Sequence, residues 1–84
     1  RAGVSLFPYD NETLVIYPYS TSQAQPATVY LHVQGAAKAL EMPVKKDFRT
    51  GESIRIQPLY TKEGETVFEL AAMPGKYELY RIER

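Results

Sequence analysis

The stretch Ala27-Thr28-Val29-Tyr30-Leu31-His32-Val33-Gln34 alternates between apolar and polar or amphipathic side chains. A period of two is the period of a strand with one face on a core and the other on water, and a helix cannot use it. Val29, Leu31 and Val33 therefore form an inner face. Thr28, Tyr30, His32 and Gln34 form an outer one, and Gly35 ends the run.

The same pattern, broken by Pro, Gly and polar clusters, recurs along the chain. Residues 52–57 place Ile54 and Ile56 inward, and residues 66–70 do the same with Phe68 and Leu70. Residues 3–7 make a short opening strand. Residues 12–17 carry Leu14 and Ile16 on one face and Val15 and Tyr17 on the other. Residues 76–83 change face between Tyr77 with Leu79 and Tyr80 with Ile82, which implies a twist, a bulge or a change of sheet. Residues 38–44 contain good helix formers at their start, but Met42-Pro43-Val44 cannot continue a helix, so a strand is expected. The polar, breaker-rich segment 20–26 suits a crossing between sheets. Together these segments predict an all-β domain. The expected fold is an antiparallel immunoglobulin-like or fibronectin-like β-sandwich of about seven short strands, with a small closed barrel as the alternative.

Eighty-four residues make one domain, 1–84, and the start at Arg1 suggests a fragment or one module of a larger chain. Ten basic and ten acidic side chains cancel and are interspersed, so the basic stripe of a nucleic-acid binder is missing. Lys45-Lys46-Asp47-Phe48-Arg49 reads as a solvated turn. Cysteine is absent, which removes disulfides, thiolate metal sites and cysteine nucleophiles. No run reaches the roughly 18 to 20 apolar residues of a membrane span.

Catalytic constellations are not visible. His32, the single histidine, lies on the outer face of its strand, and none of Ser5, Ser20, Ser22 and Ser53 sits in a Gly-x-Ser-x-Gly elbow. The glutamates are scattered over strand exteriors and turns. Asp10-Asn11-Glu12 is a cluster of hard oxygen ligands of the kind calcium favours, but it is read first as a proline-initiated turn. Neither a metal nor another cofactor is expected, and no enzymatic activity.

The segment Phe68-Glu69-Leu70-Ala71-Ala72-Met73-Pro74-Gly75-Lys76-Tyr77-Glu78-Leu79 resembles the ending of many extracellular β-sandwich repeats. Prealbumin-like and carboxypeptidase-regulatory-like modules, the collagen-adhesin B type among them, share this apolar strand followed by Pro-Gly-x-Tyr-x-Leu. The resemblance implies a surface, adhesive or linking module, in which the Tyr77 hydroxyl ties back to the Pro74-Gly75 turn. The internal cross-link of some collagen-adhesin modules is not carried over, because the last strand has neither Asn nor Asp.

Phe7-Pro8-Tyr9 and Tyr17-Pro18-Tyr19 flank an apolar run. Proline cannot donate to a ladder, so both triplets are expected to stop strands, at opposite ends of a hairpin, with either X-Pro bond open to the cis form. Seven tyrosines and no tryptophan are the most distinctive part of the composition. Tyrosine offers contact area with a polar tip. Tyr9, Tyr19, Tyr30 and Tyr60 are the candidate binding residues. The function expected first is a non-catalytic structural or protein-interaction module of an extracellular, cell-surface or periplasmic assembly: a surface-protein domain, or a filament or coat subunit. Its partner would be another protein or a second copy, paired through an edge strand such as 3–7. The alternative is a carbohydrate-binding accessory module of a secreted enzyme, holding a glycan on exposed tyrosines.

Overall fold

The computed structural model describes residues 2–8, 13–20, 27–49, 51–72 and 76–84; for residues 2–8, 14–20, 27 and 72 the description is of the backbone. Among the described residues the chain forms eight β-strands and no helix: β1 (Ala2–Pro8), β2 (Thr13–Ser20), β3 (Ala27–Gln34), β4 (Ala39–Pro43), β5 (Ser53–Ile56), β6 (Tyr60–Lys62), β7 (Glu65–Ala72) and β8 (Glu78–Glu83). A five-stranded sheet has the order β1-β2-β8-β4-β5, and a three-stranded sheet has the order β3-β7-β6. Every pairing is antiparallel. The chain crosses between sheets four times, at β2→β3, β3→β4, β5→β6 and β7→β8. The expected antiparallel sandwich is therefore the observed fold, while residues 21–26 of the expected crossing lie outside the described residues.

The core forms where the two inner faces meet. Leu31, Val33, Phe68 and Leu70 of the small sheet pack with Leu40 and Tyr80 of the large one, and Ala37 closes the end. Val29, Met42, Ile56 and Ile82 add partly buried cover. Register explains the selection: Leu31 lies opposite Phe68 and Val29 opposite Leu70, so alternate residues of β3 and β7 share one face. Phe68 and Leu40 are fully buried, each worth about 1.5–3 kcal/mol in area removed from water.

Two turns fix the small sheet. Glu63 and Gly64, with φ of 54° and 75°, form the two-residue link between β6 and β7. Positive φ at both central positions matches the twist of the flanking strands. At the end of β3, Gly35 adopts φ 86°, and its N–H donates to the Gly64 carbonyl at 2.7 Å. The fully buried Thr66 then holds the crossover to β4: its hydroxyl accepts the Ala37 N–H at 3.1 Å and donates to the Gly35 carbonyl at 3.0 Å.

Two expectations are corrected. The strand count is eight among the described residues, because β6 carries no alternation that would announce it. Pro18 does not stop a strand; it lies inside β2, opposite Val4 of β1. β8 pairs only with residues 13–16 of β2. Beyond them β2 has a partner on one side alone, and a missing N–H can face the open side. Pro8, by contrast, ends β1 as expected, opposite Leu14. No cis peptide bond occurs among the described residues. The two aromatic triplets do lie at opposite ends of the β1–β2 hairpin, since Tyr19 is opposite Gly3 while Phe7 is opposite Val15.

Candidate functional site

The two outer faces of the sandwich differ in chemistry. On the large sheet, Arg55, Glu41 and Arg81 stand in one row across β5, β4 and β8. Arg55 donates to both carboxylate oxygens of Glu83, from Nε at 3.0 Å and from Nη2 at 3.3 Å. Arg81 Nη1 is 4.0 Å from Glu41 Oε2, and its guanidinium lies 4.1 Å from the Phe48 ring centroid. The Arg55 hydrogen bond, ahead of its charge, holds the Glu83 carboxyl below its ordinary range, and the same bond raises the Arg55 guanidinium. These four charges are paired within the face.

The loop between β4 and β5 folds onto the same sheet. Lys46, at φ 56°, donates from Nζ to the Tyr77 carbonyl at 2.7 Å and rests 4.1 Å above the Tyr77 ring. Asp47 accepts the Arg49 N–H at 2.9 Å and its Nε at 3.2 Å. Lys46 and Arg49 of the basic cluster are thus engaged within the chain, in keeping with a structural turn. The turn to which Tyr77 was expected to tie back, and the Asp10-Asn11-Glu12 cluster, lie outside the described residues.

The outer face of the small sheet is built differently. Tyr60, Val67 and His32 form one row across β6, β7 and β3, and Tyr30 pairs with Glu69 in the adjacent row. Tyr30 is 53% exposed and Tyr60 48% exposed, while Val67 between the strands is buried. His32 Nδ1 lies 3.0 Å from Glu65 Oε1. At the start of β6 the Leu59 N–H donates to the Val67 carbonyl at 2.8 Å, although Tyr60 is the residue in register with Val67. Two residues therefore oppose one. The resulting β-bulge leaves Leu59 exposed beside Tyr60.

Of the four candidate tyrosines, the fold brings Tyr30 and Tyr60 to one face. Tyr19 lies in β2 of the other sheet, where the backbone alone is described, and Tyr9 lies outside the described residues. His32 and Ser53 belong to different sheets. Among the described residues, no group of three or more His, Asp or Glu side chains is placed to hold a metal ion.

A third surface was not foreseen. Met42 and Ile54 are opposite one another on the inner face of the β4–β5 hairpin, one step beyond the Leu40–Ile56 pair. Cover fades along it: Leu40 is fully buried, Met42 and Ile56 are partly buried, and Ile54 is 48% exposed. Val44, just past the strand, is 56% exposed. The five-stranded sheet overhangs the three-stranded one here, and the apolar face continues past its cover. The sequence signal was the run Met42-Pro43-Val44, with Met42 opposite Ile54, which is too apolar for a free hairpin end.

A family described as "Probable glycosyl hydrolase, C-terminal domain" matches residues 1–82. The chain belongs to this family. The glycosyl hydrolase C-terminal domain is thus the all-β sandwich described above. The match names a different family from the prealbumin-like and carboxypeptidase-regulatory-like modules that the Pro74–Leu79 ending resembles, although a β-sandwich is compatible with both. Comparison with curated proteins and with solved structures found no match.

Proposed function

We propose that this domain is a non-catalytic accessory module of a secreted glycosyl hydrolase, and that it packs against the rest of its enzyme through the uncovered inner face of the β4–β5 hairpin. The observation that carries this is Ile54: it faces the core side of its sheet and yet is 48% exposed. With Val44 and Met42 it forms an apolar edge that water covers in the isolated domain. Burying the exposed halves of Ile54 and Val44 is worth about 1 kcal/mol each, and a partner domain of the same chain supplies that cover without a second-order association step. The family match supports the enzyme context. The family description supports an extracellular setting, since glycosyl hydrolases are often secreted.

The test is the double substitution Val44→Glu and Ile54→Glu, made in the intact glycosyl hydrolase and in the 84-residue chain. Both side chains are half-exposed, so the isolated chain is expected to keep its unfolding temperature within a few degrees. In the enzyme the domain should unfold earlier, as a separate transition. Equal responses in enzyme and isolated chain would argue against the interface.

A further inference from the structure

We infer that the outer face of the three-stranded sheet is a platform for a neutral glycan chain, with Tyr30 and Tyr60 as its two stacking rings. Tyr60 and Tyr30 sit on opposite edge strands, with β7 between them, and are offset by one same-face step. Two strand spacings and one two-residue step put their Cα atoms about 12 Å apart. That separation lets two rings engage different residues of one extended chain.

The groups between and around the rings are polar. Glu69 is opposite Tyr30, the His32–Glu65 pair occupies the next positions, and Lys62 is opposite Glu65. A sugar ring presents an apolar C–H face and a belt of hydroxyls, which donate and accept together. Tyrosine rings meet the first, and carboxylates, imidazole and phenol hydroxyls meet the second. The apolar contribution is confined to the two rings and Leu59, because Val67 of the central strand is itself buried. A stable protein interface has an apolar centre, and the centre of this face offers none, since Val67 is already buried. Two carboxylates, Glu65 and Glu69, stand against one ammonium, Lys62, so the face repels an anionic polymer. The presence of a polysaccharide near this domain rests on the glycosyl hydrolase reading above; the face itself is separate from the β4–β5 hairpin.

Binding is measured by affinity electrophoresis of the 84-residue chain in native gels. The gels contain one neutral polysaccharide each, a β-1,4-glucan, an α-1,4-glucan, a β-mannan or a xylan, with polygalacturonate as the anionic comparison. At least one neutral polymer should retard the chain. Tyr30→Ala and Tyr60→Ala should each weaken that binding at least ten-fold with unchanged circular dichroism, and Tyr→Phe at either site should retain most of it. Val44→Glu with Ile54→Glu should leave it intact, so failure of the enzyme interface and failure of the glycan platform are read separately. The platform is overturned if no neutral polymer is bound, if the double tyrosine-to-alanine variant binds as well as the parent, or if polygalacturonate is preferred. Tyrosine-dependent self-association without glycan binding also overturns it.

Discussion

The Thr66 hydroxyl lies 3.1 Å from the backbone nitrogen of Ala37 and is fully buried. Because it also donates to the Gly35 carbonyl, one side chain satisfies two backbone polar groups of the crossover from β3 to β4. Thr66→Val keeps the shape and strands both, so it should cost about 2–3 kcal/mol. Thr66→Ser keeps the hydroxyl and should cost less. Chemical denaturation of the two variants checks the order, and a valine variant as stable as serine would mean the bonds are dispensable.

Phe68 fills the centre of the core and is fully buried. Phe68→Ala should remove about 3–5 kcal/mol, enough to unfold much of a domain this small. Tyr30→Ala and Tyr60→Ala, on the outer face, should each stay near 0.5 kcal/mol. Thermal melts of the three variants measure the contrast.

Gly64 holds φ 75° with no atom near enough to obstruct a Cβ. Gly64→Ala should therefore lose about 1 kcal/mol through backbone conformation alone. Gly51→Ala, where no positive φ is needed and space is open, should be close to neutral. Similar losses at both positions would show that the β6–β7 turn does not require its left-handed residue.

Two pH limbs follow from the ionisable groups. Glu83 is held below its ordinary value of 4.5, first by the hydrogen bond from Arg55. The stability it contributes is present above that value and is lost as pH falls through the lower folded one. Arg55→Met should flatten the acid limb of a stability–pH profile, and an unchanged limb would remove the pair from the account.

Tyr80 behaves in the opposite direction. Burial, and then the charge of Glu78, push its phenol up from 10.0 to about 12. The neutral form is the one the core accepts, so its contribution is complete below pH 10 and falls as pH rises toward 12. The loss is at most about 3 kcal/mol. In a tyrosinate absorbance titration Tyr80 should ionise late, and Tyr80→Phe should abolish that step.

The legible parts of the fold are those where one side of a strand is buried and the other wet. β3 has the bounds its alternation predicts, because Val29, Leu31 and Val33 all reach the core. β6 was hidden because all three of its residues are exposed and a bulge at Leu59 and Tyr60 breaks the phase. Pro18 misled because its tolerance depends on where β8 stops pairing, which no local pattern records. For the site, the outward phase of Tyr30 was readable from β3 alone. Its meeting with Tyr60 was not, since that depends on both strands flanking β7. The exposure of Ile54 was unreadable for a similar reason: its inward phase is local, but its cover depends on the unequal width of the sheets.

Side-chain labelling by hydroxyl radicals, resolved to residues by mass spectrometry, tests the central claim most directly. Ile54 and Val44 should be modified in the isolated domain and protected several-fold in the intact glycosyl hydrolase, with Val67 protected in both. Equal labelling of Ile54 and Val44 in the two samples would contradict the packing of this domain against its enzyme.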